Sequence, residues 1–134
     1  MATEFEVRLD GPTSSLLKAI EVLAEEKINL DTVSIAPAAH GYVVRFLTGA
    51  DESVRTSMMK ADLPFRENQV LVIQVPNRPG QWLRVADALA KAGVEVSHTY
   101  QVGGKGRNNF FAFGVSDYGK AKKICTKLGR CDGY

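Results

Sequence analysis

The chain writes its apolar pattern twice. Leu16, Ala19, Ile20, Leu23 and Ala24 recur about 66 residues later as Trp82, Val85, Ala86, Leu89 and Ala90. Each set has the spacing of one helical stripe. A strand pattern precedes each helix, at 5–9 and 70–75, and another follows it, at 28–33 and 94–100. A hairpin arm comes next in both halves, at 41–47 and 110–115. Second helices then begin near Asp51 and Asp117, both placed as N-caps. Val54 and Met58 start the core stripe of the first of these, and Ala121, Ile124, Cys125 and Leu128 form that of the second. Short closing strands are expected at 65–67 and after Leu128.

Each half therefore predicts β-α-β-β-α-β, a ferredoxin-like α+β unit with an antiparallel sheet and both helices on one face. The expected units are 1–68 and 69–134. Residues 66–69 are polar but few, with no Gly/Ser-rich linker, so the two sheets are expected to pack side by side.

Composition excludes several classes. Of 134 residues, 45% are hydrophobic and 24% charged, as in globular proteins, and a net charge of +2 is too weak to point to nucleic acid or an anionic membrane. No apolar run approaches the ~20 residues that span a bilayer. The N-terminus lacks the basic and apolar parts of a signal peptide. Cys125 and Cys131 can close only a short loop, so both read as reduced thiols in a cytoplasmic protein.

The most informative local stretch is 75–93: a strand end, a polar turn, and an amphipathic helix closed by Gly93. The turn brings Asn77, Arg78, Pro79 and Gly80 to the positive end of that helix, followed by Gln81 and Trp82. Such an end suits a small anion, for instance a carboxylate. Glycine at 80 leaves no Cβ in the way of a ligand approaching the backbone. Pro79 sits where a missing N–H is harmless.

Val75, Asn77, Arg78, Pro79, Gly80, Leu83, Val85, Ala86, Leu89, Ala90, Ala92, Gly93 and Val94 together resemble the ACT domain, a ligand-sensing module of amino-acid metabolism. The likeness covers 70–128. It implies a free-standing tandem ACT protein without a catalytic domain, cofactor or metal. By the same resemblance, an amino acid binds in a crevice between two units. Its carboxylate meets the amides around Gly80 and Gln81, with the Asn77 side chain as a further partner. The implied role is regulation of amino-acid metabolism or transport, exerted by a homo-oligomer (a dimer) on a partner enzyme or regulator. The first unit departs at this motif, with Asp10-Gly11-Pro12-Thr13-Ser14 in the turn and Lys27 in place of Gly93. Gly11, Pro12, Thr13 and Ser14 form its candidate loop, where Thr13 and Ser14 are expected to cap the helix.

Each candidate has a plainer role beside the sharp one. Arg78 is either a carboxylate-binding cation or a solvated turn residue. Trp82 falls on the core stripe, which favours packing over ligand stacking. His98 and Tyr100 share a face of one strand, and hydrogen-bonded half-burial is the commoner state of such a histidine. His40 precedes a hairpin glycine. Cys125 reads as core and Cys131 as exposed; neither joins enough ligands for a metal site. Residues 103–107 are glycine-rich but lie in a hairpin without the context of a P-loop, and read as a mobile tip near the ligand.

The same element order also builds RNA-recognition modules, and the alternative function is RNA binding. The run 107–113 echoes their basic-aromatic third strand, yet 70–75 offers no aromatic to complete a stacking platform. No nucleophile–base pair or carboxylate dyad stands out, so an enzyme is not expected.

Overall fold

The computed structural model describes residues 2–131. They form two compact units, Thr3–Asn68 and a second one from Gln69 onward. The first runs β1 (Ala2–Asp10), α1 (Ser15–Glu25), β2 (Thr32–Ala38), β3 (Gly41–Leu47) and α2 (Asp51–Lys60). The strand β4 (Arg66–Pro76) opens the second, followed by α3 (Gln81–Lys91), β5 (Val96–Lys105), β6 (Asn108–Val115) and α4 (Tyr118–Lys127). Both units are ferredoxin-like, with every named pairing antiparallel. In the first, β3 lies between β2 and β1; in the second, β6 lies between β4 and β5.

Each unit has its own core on the helix-covered face of its sheet. In the first, Phe5, Val7, Val44 and Phe46 meet Leu16, Ala19, Leu23, Val54 and Met58, and the rings of Phe5 and Phe46 stack at 5.5 Å. In the second, Leu71, Ile73, Val75 and Phe113 meet Val85, Leu89, Ala121 and Cys125. Full burial of one such aliphatic or aromatic side chain contributes roughly 1.5–3 kcal/mol.

The helical stripes are narrower than the sequence suggests. Ala24, Ala86 and Ala90 are exposed, Ile20 is 36% exposed and Trp82 39%. About one fully buried position per turn faces the core, Leu16, Ala19 and Leu23 on α1 and Val85 and Leu89 on α3, and the small alanines stand just outside that line.

Four strand expectations also shift. β5 starts at Val96 and not at residue 94, and it runs on to Lys105, taking in Gly103 and Gly104 of the expected tip. β2 starts at Thr32 and not at residue 28, because the chain leaving α1 turns through Lys27 at φ +56°. Ile28 N then bonds to Leu23 O at 3.0 Å, and Asn29 Nδ2 donates to Asp31 Oδ1 at 3.0 Å. Ile28 is thus a core residue held by a loop. Its alternation with Leu30 imitates a strand. No separate strand forms at 65–67; Arg66 is already the first residue of β4. The closing strand of the second unit reduces to one bridge between Ile73 and Cys131, and residues 132–134 lie outside the described region.

Of the two expected caps, Asp117 accepts from Lys120 N at 3.0 Å, whereas Asp51 is the first helical residue, preceded by Ala50 as N-cap. Cys131, expected to be exposed, is half-buried against the second core.

Candidate functional site

The start of α3 is shaped by one backbone inversion. Gly80, the N-cap, has φ +83°, a conformation costly for any residue with a Cβ. A Cβ built there meets nothing within 4 Å, so open space lies above the turn. Asn77 N donates to Arg107 O at 2.7 Å, Arg78 N to Pro76 O at 2.8 Å, and Gln81 N reaches Arg78 O only over 3.4 Å. Among the described residues nothing accepts from the amides of Gly80, Trp82 or Leu83. These are the donors that a helix start leaves unpaired. The exposed side chains of Asn77 and Arg78 have no hydrogen-bond or ion-pair partner among the described residues.

Two side chains expected at the ligand have structural neighbours. Gln81 Oε1 accepts from Arg130 Nη2 at 2.6 Å. Trp82 packs edge-on to Phe111 at 4.9 Å and tilted over Phe113 at 5.4 Å, so its ring belongs mainly to the fold. Phe111 and Phe113 face α3 and not the open side of the sheet.

Arg130 is the residue the sequence did not reveal. It lies 49 positions from Gln81, in the segment after α4, where its carbonyl accepts from Gln74 N at 2.7 Å. Its Nε is buried with no acceptor among the described residues. A second positive charge, besides that of Arg78, therefore stands at the start of α3, against Gln81. The hairpin tip also reaches this turn, through the Arg107 carbonyl.

His98 and Tyr100 lie elsewhere. Tyr100 is in register with Ala112, and Ala112 with Val72. Val72 precedes Pro76 by four residues, roughly 13 Å along the strand. Both side chains project from the face opposite Phe113, which is in register with Thr99. The His98 ring stacks on Tyr100 at 6.2 Å, and Ser97 Oγ lies 2.8 Å from His98 Nδ1. Gly114 makes room for that imidazole, since a Cβ there would collide with it.

The first unit's loop is closed by its own backbone. Gly11 N donates to His40 O at 2.8 Å, while the amides of Ser15, Leu16 and Leu17 donate to the carbonyls of Pro12, Thr13 and Ser14. Ser14 makes no side-chain cap, contrary to expectation. Thr13 Oγ1 instead pairs with Tyr42 Oη at 3.0 Å. Among the described residues no three His, Cys, Asp or Glu side chains converge as metal ligands, and no helix is long and apolar enough to cross a membrane.

The architecture matches solved structures along nearly the whole chain. A protein from Bacteroides thetaiotaomicron superposes with a TM-score of 0.86 at 22% identity, over 97% of this chain and 90% of that one. The regulatory subunit of aspartate kinase from Thermus thermophilus, in a ligand-free form, gives 0.62 at 11%, over 96% and 90%. That of Thermus flavus gives 0.61 at 10%, over 96% and 92%. The fold is a tandem ACT fold. No protein-family model and no curated protein matches the sequence.

Within the ACT fold the first unit carries a polar cluster on the sheet face away from its helices. Arg45 Nε donates to Glu6 Oε1 at 3.0 Å and stands 3.9 Å from Glu4. Arg8 reaches Glu6 at 3.3 Å, and Asn68 Nδ2 donates to Glu4 at 2.9 Å and to Glu6 at 3.3 Å. Burial opposes ionisation of Glu6. The hydrogen bond and charge of Arg45, with Arg8 and Asn68, outweigh it and hold the carboxyl below its ordinary range. In the second unit, burial raises the Cys125 thiol well above its usual value, with the Cys131 thiol beside it adding to the shift.

Proposed function

We propose that this protein is a cytoplasmic amino-acid sensor of ACT type. It acts on a partner enzyme or regulator as a homo-oligomer and performs no chemistry of its own. The reading rests on one observation: at the positive end of α3 the amides of Gly80, Trp82 and Leu83 have no acceptor among the described residues, and the space beside the Gly80 Cα is open. A ligand carboxylate bound there would accept from these amides, with Asn77 as an additional partner and Arg78 and Arg130 supplying charge. The likeness to regulatory subunits of aspartate kinase favours a regulatory role in the same sense.

Micromolar affinity requires about 8 kcal/mol. A helix end supplies ~0.3–2 and each charge-assisted hydrogen bond roughly 1.5–3, so several amides and at least one guanidinium must act together.

A thermal-shift screen across the common amino acids tests this. Ligand at a hundred times its dissociation constant adds about 2.7 kcal/mol, a rise of several degrees. One amino acid is expected to stabilise the wild type and to act more weakly on Asn77→Ala and Arg130→Ala. Equal responses from all three proteins would place the ligand elsewhere, and no response to any amino acid would end the sensor reading.

A further inference from the structure

The near-neutral total charge hides a strong partition. Residues 3–68 carry 11 Asp and Glu against 7 Lys and Arg, a net −4; residues 69–134 carry 4 against 10, a net +6. Both excesses are displayed on helices. α4 contains four lysines and no acid. Its outer face, formed by Gly119, Lys122, Lys123, Thr126 and Lys127, borders a hollow of about 480 Å³. Lysine stems provide apolar walls and leave the ammonium groups at the rim. None of these lysines has an ion-pair partner among the described residues.

α1 has the complementary character. Leu17 is 56% exposed and Ile20 36%, and with the exposed Ala24 they form a second, outward apolar stripe. Glu21 and Glu25 flank it, both exposed and without ion pairs among the described residues. Lys18 shares their side of the helix, which leaves α1 with a net charge of −1 against the +4 of α4. The helices have matching lengths, 11 and 10 residues.

We propose that α1 of one copy of this chain docks on the α4 face of a second copy, its apolar stripe against the lysine stems and Glu21 and Glu25 against the ammonium groups. Every copy carries both halves of the contact, which is why a second copy fits better than a foreign acidic partner. The contact is independent of any ligand at α3. A single pair of short helices covers far less than the roughly 1,200–2,000 Å² of a stable interface, so the association is weak and electrostatically controlled.

Sedimentation velocity at about 10 mM and about 1 M salt, where the Debye length falls from roughly 30 to 3 Å, tests it directly. Self-association of the wild type is expected to weaken at least tenfold at high salt. Lys122→Glu/Lys123→Glu and Glu21→Lys/Glu25→Lys should each be monomeric. Mixed together they should associate again, because every surviving contact then joins opposite charges. That rescue also shows that both variants are folded. A wild type monomeric at low salt, charge reversals that leave association intact, or a mixture that stays monomeric would each overturn the proposal. So would a monomeric wild type that binds a single-stranded oligonucleotide through Lys122 and Lys123.

Discussion

The starts of α1 and α3 occupy equivalent places in the two repeats and differ in one respect that matters. Both turns are tied to a hairpin tip by the same kind of bond, Gly11 N to His40 O and Asn77 N to Arg107 O. Beyond that tie, α1 closes its first amides onto the carbonyls of residues 12–14, whereas Gly80 swings the chain away and leaves the α3 amides open. A repeated scaffold thus yields one sealed turn and one receptive turn. The backbone inverts at different places in the two turns, at Gly11 (φ +112°) in the first and at Gly80 (φ +83°), next to the helix, in the second.

The same divergence recurs on the sheets. Glu4, Glu6 and Arg45 of the first unit stand where the second has the buried Val70, Val72 and Ala112. The largest expected effect lies here. Glu6→Val leaves Arg45 without its nearest partner and should cost about 3 kcal/mol in urea unfolding at pH 7. Glu6→Gln sharpens the point through pH. The folded carboxyl binds its proton less tightly than the unfolded one, with an ordinary value of 4.5. Its contribution is therefore full at neutral pH and lost as pH falls through the carboxylate range. The stability gap between wild type and Glu6→Gln should narrow below about pH 4.5. A gap that stayed constant down to pH 2 would show that the ion cluster is not the source.

Helix ends give the next effect. α1 leaves through Lys27 at φ +56°, where α3 leaves through Gly93 at φ +72°. A left-handed residue with a Cβ costs about 1–2 kcal/mol. Gly93→Ala should lower the thermal midpoint by several degrees, and Lys27→Gly should raise it by a smaller amount, since glycine also loosens the unfolded chain. Equal responses at both sites would mean that the two exits are not equivalent. The smallest effect is that of Asn77→Ala without ligand, within about 0.5 kcal/mol, because its exposed side chain has no partner among the described residues.

Much of this was legible from the sequence. The repeat, four helices and most strands follow from periodicities of 3.6 and 2, which packing on one face enforces. Asn77 to Trp82 were legible as a turn because Pro79, Gly80 and the following helix leave few alternatives. Ile28 misled, since a loop residue folded back onto the core alternates with polar neighbours as a strand does. Alanines at 24, 86 and 90 also misled: they count as apolar, yet are small enough to stand in water. Arg130 left no local signal, because its approach to Gln81 depends on how the segment after α4 returns across β4. The charge partition was in the sequence all along but vanished in the total.

The receptive α3 turn is tested most directly by amide NMR during titration with the amino acid that raises the thermal midpoint. The amide signals of Gly80, Trp82 and Leu83 should shift with saturation, while those of Ser15, Leu16 and Leu17 stay in place. Shifts of equal size at α1, or unmoved signals at α3 in the presence of a stabilising ligand, would contradict the account.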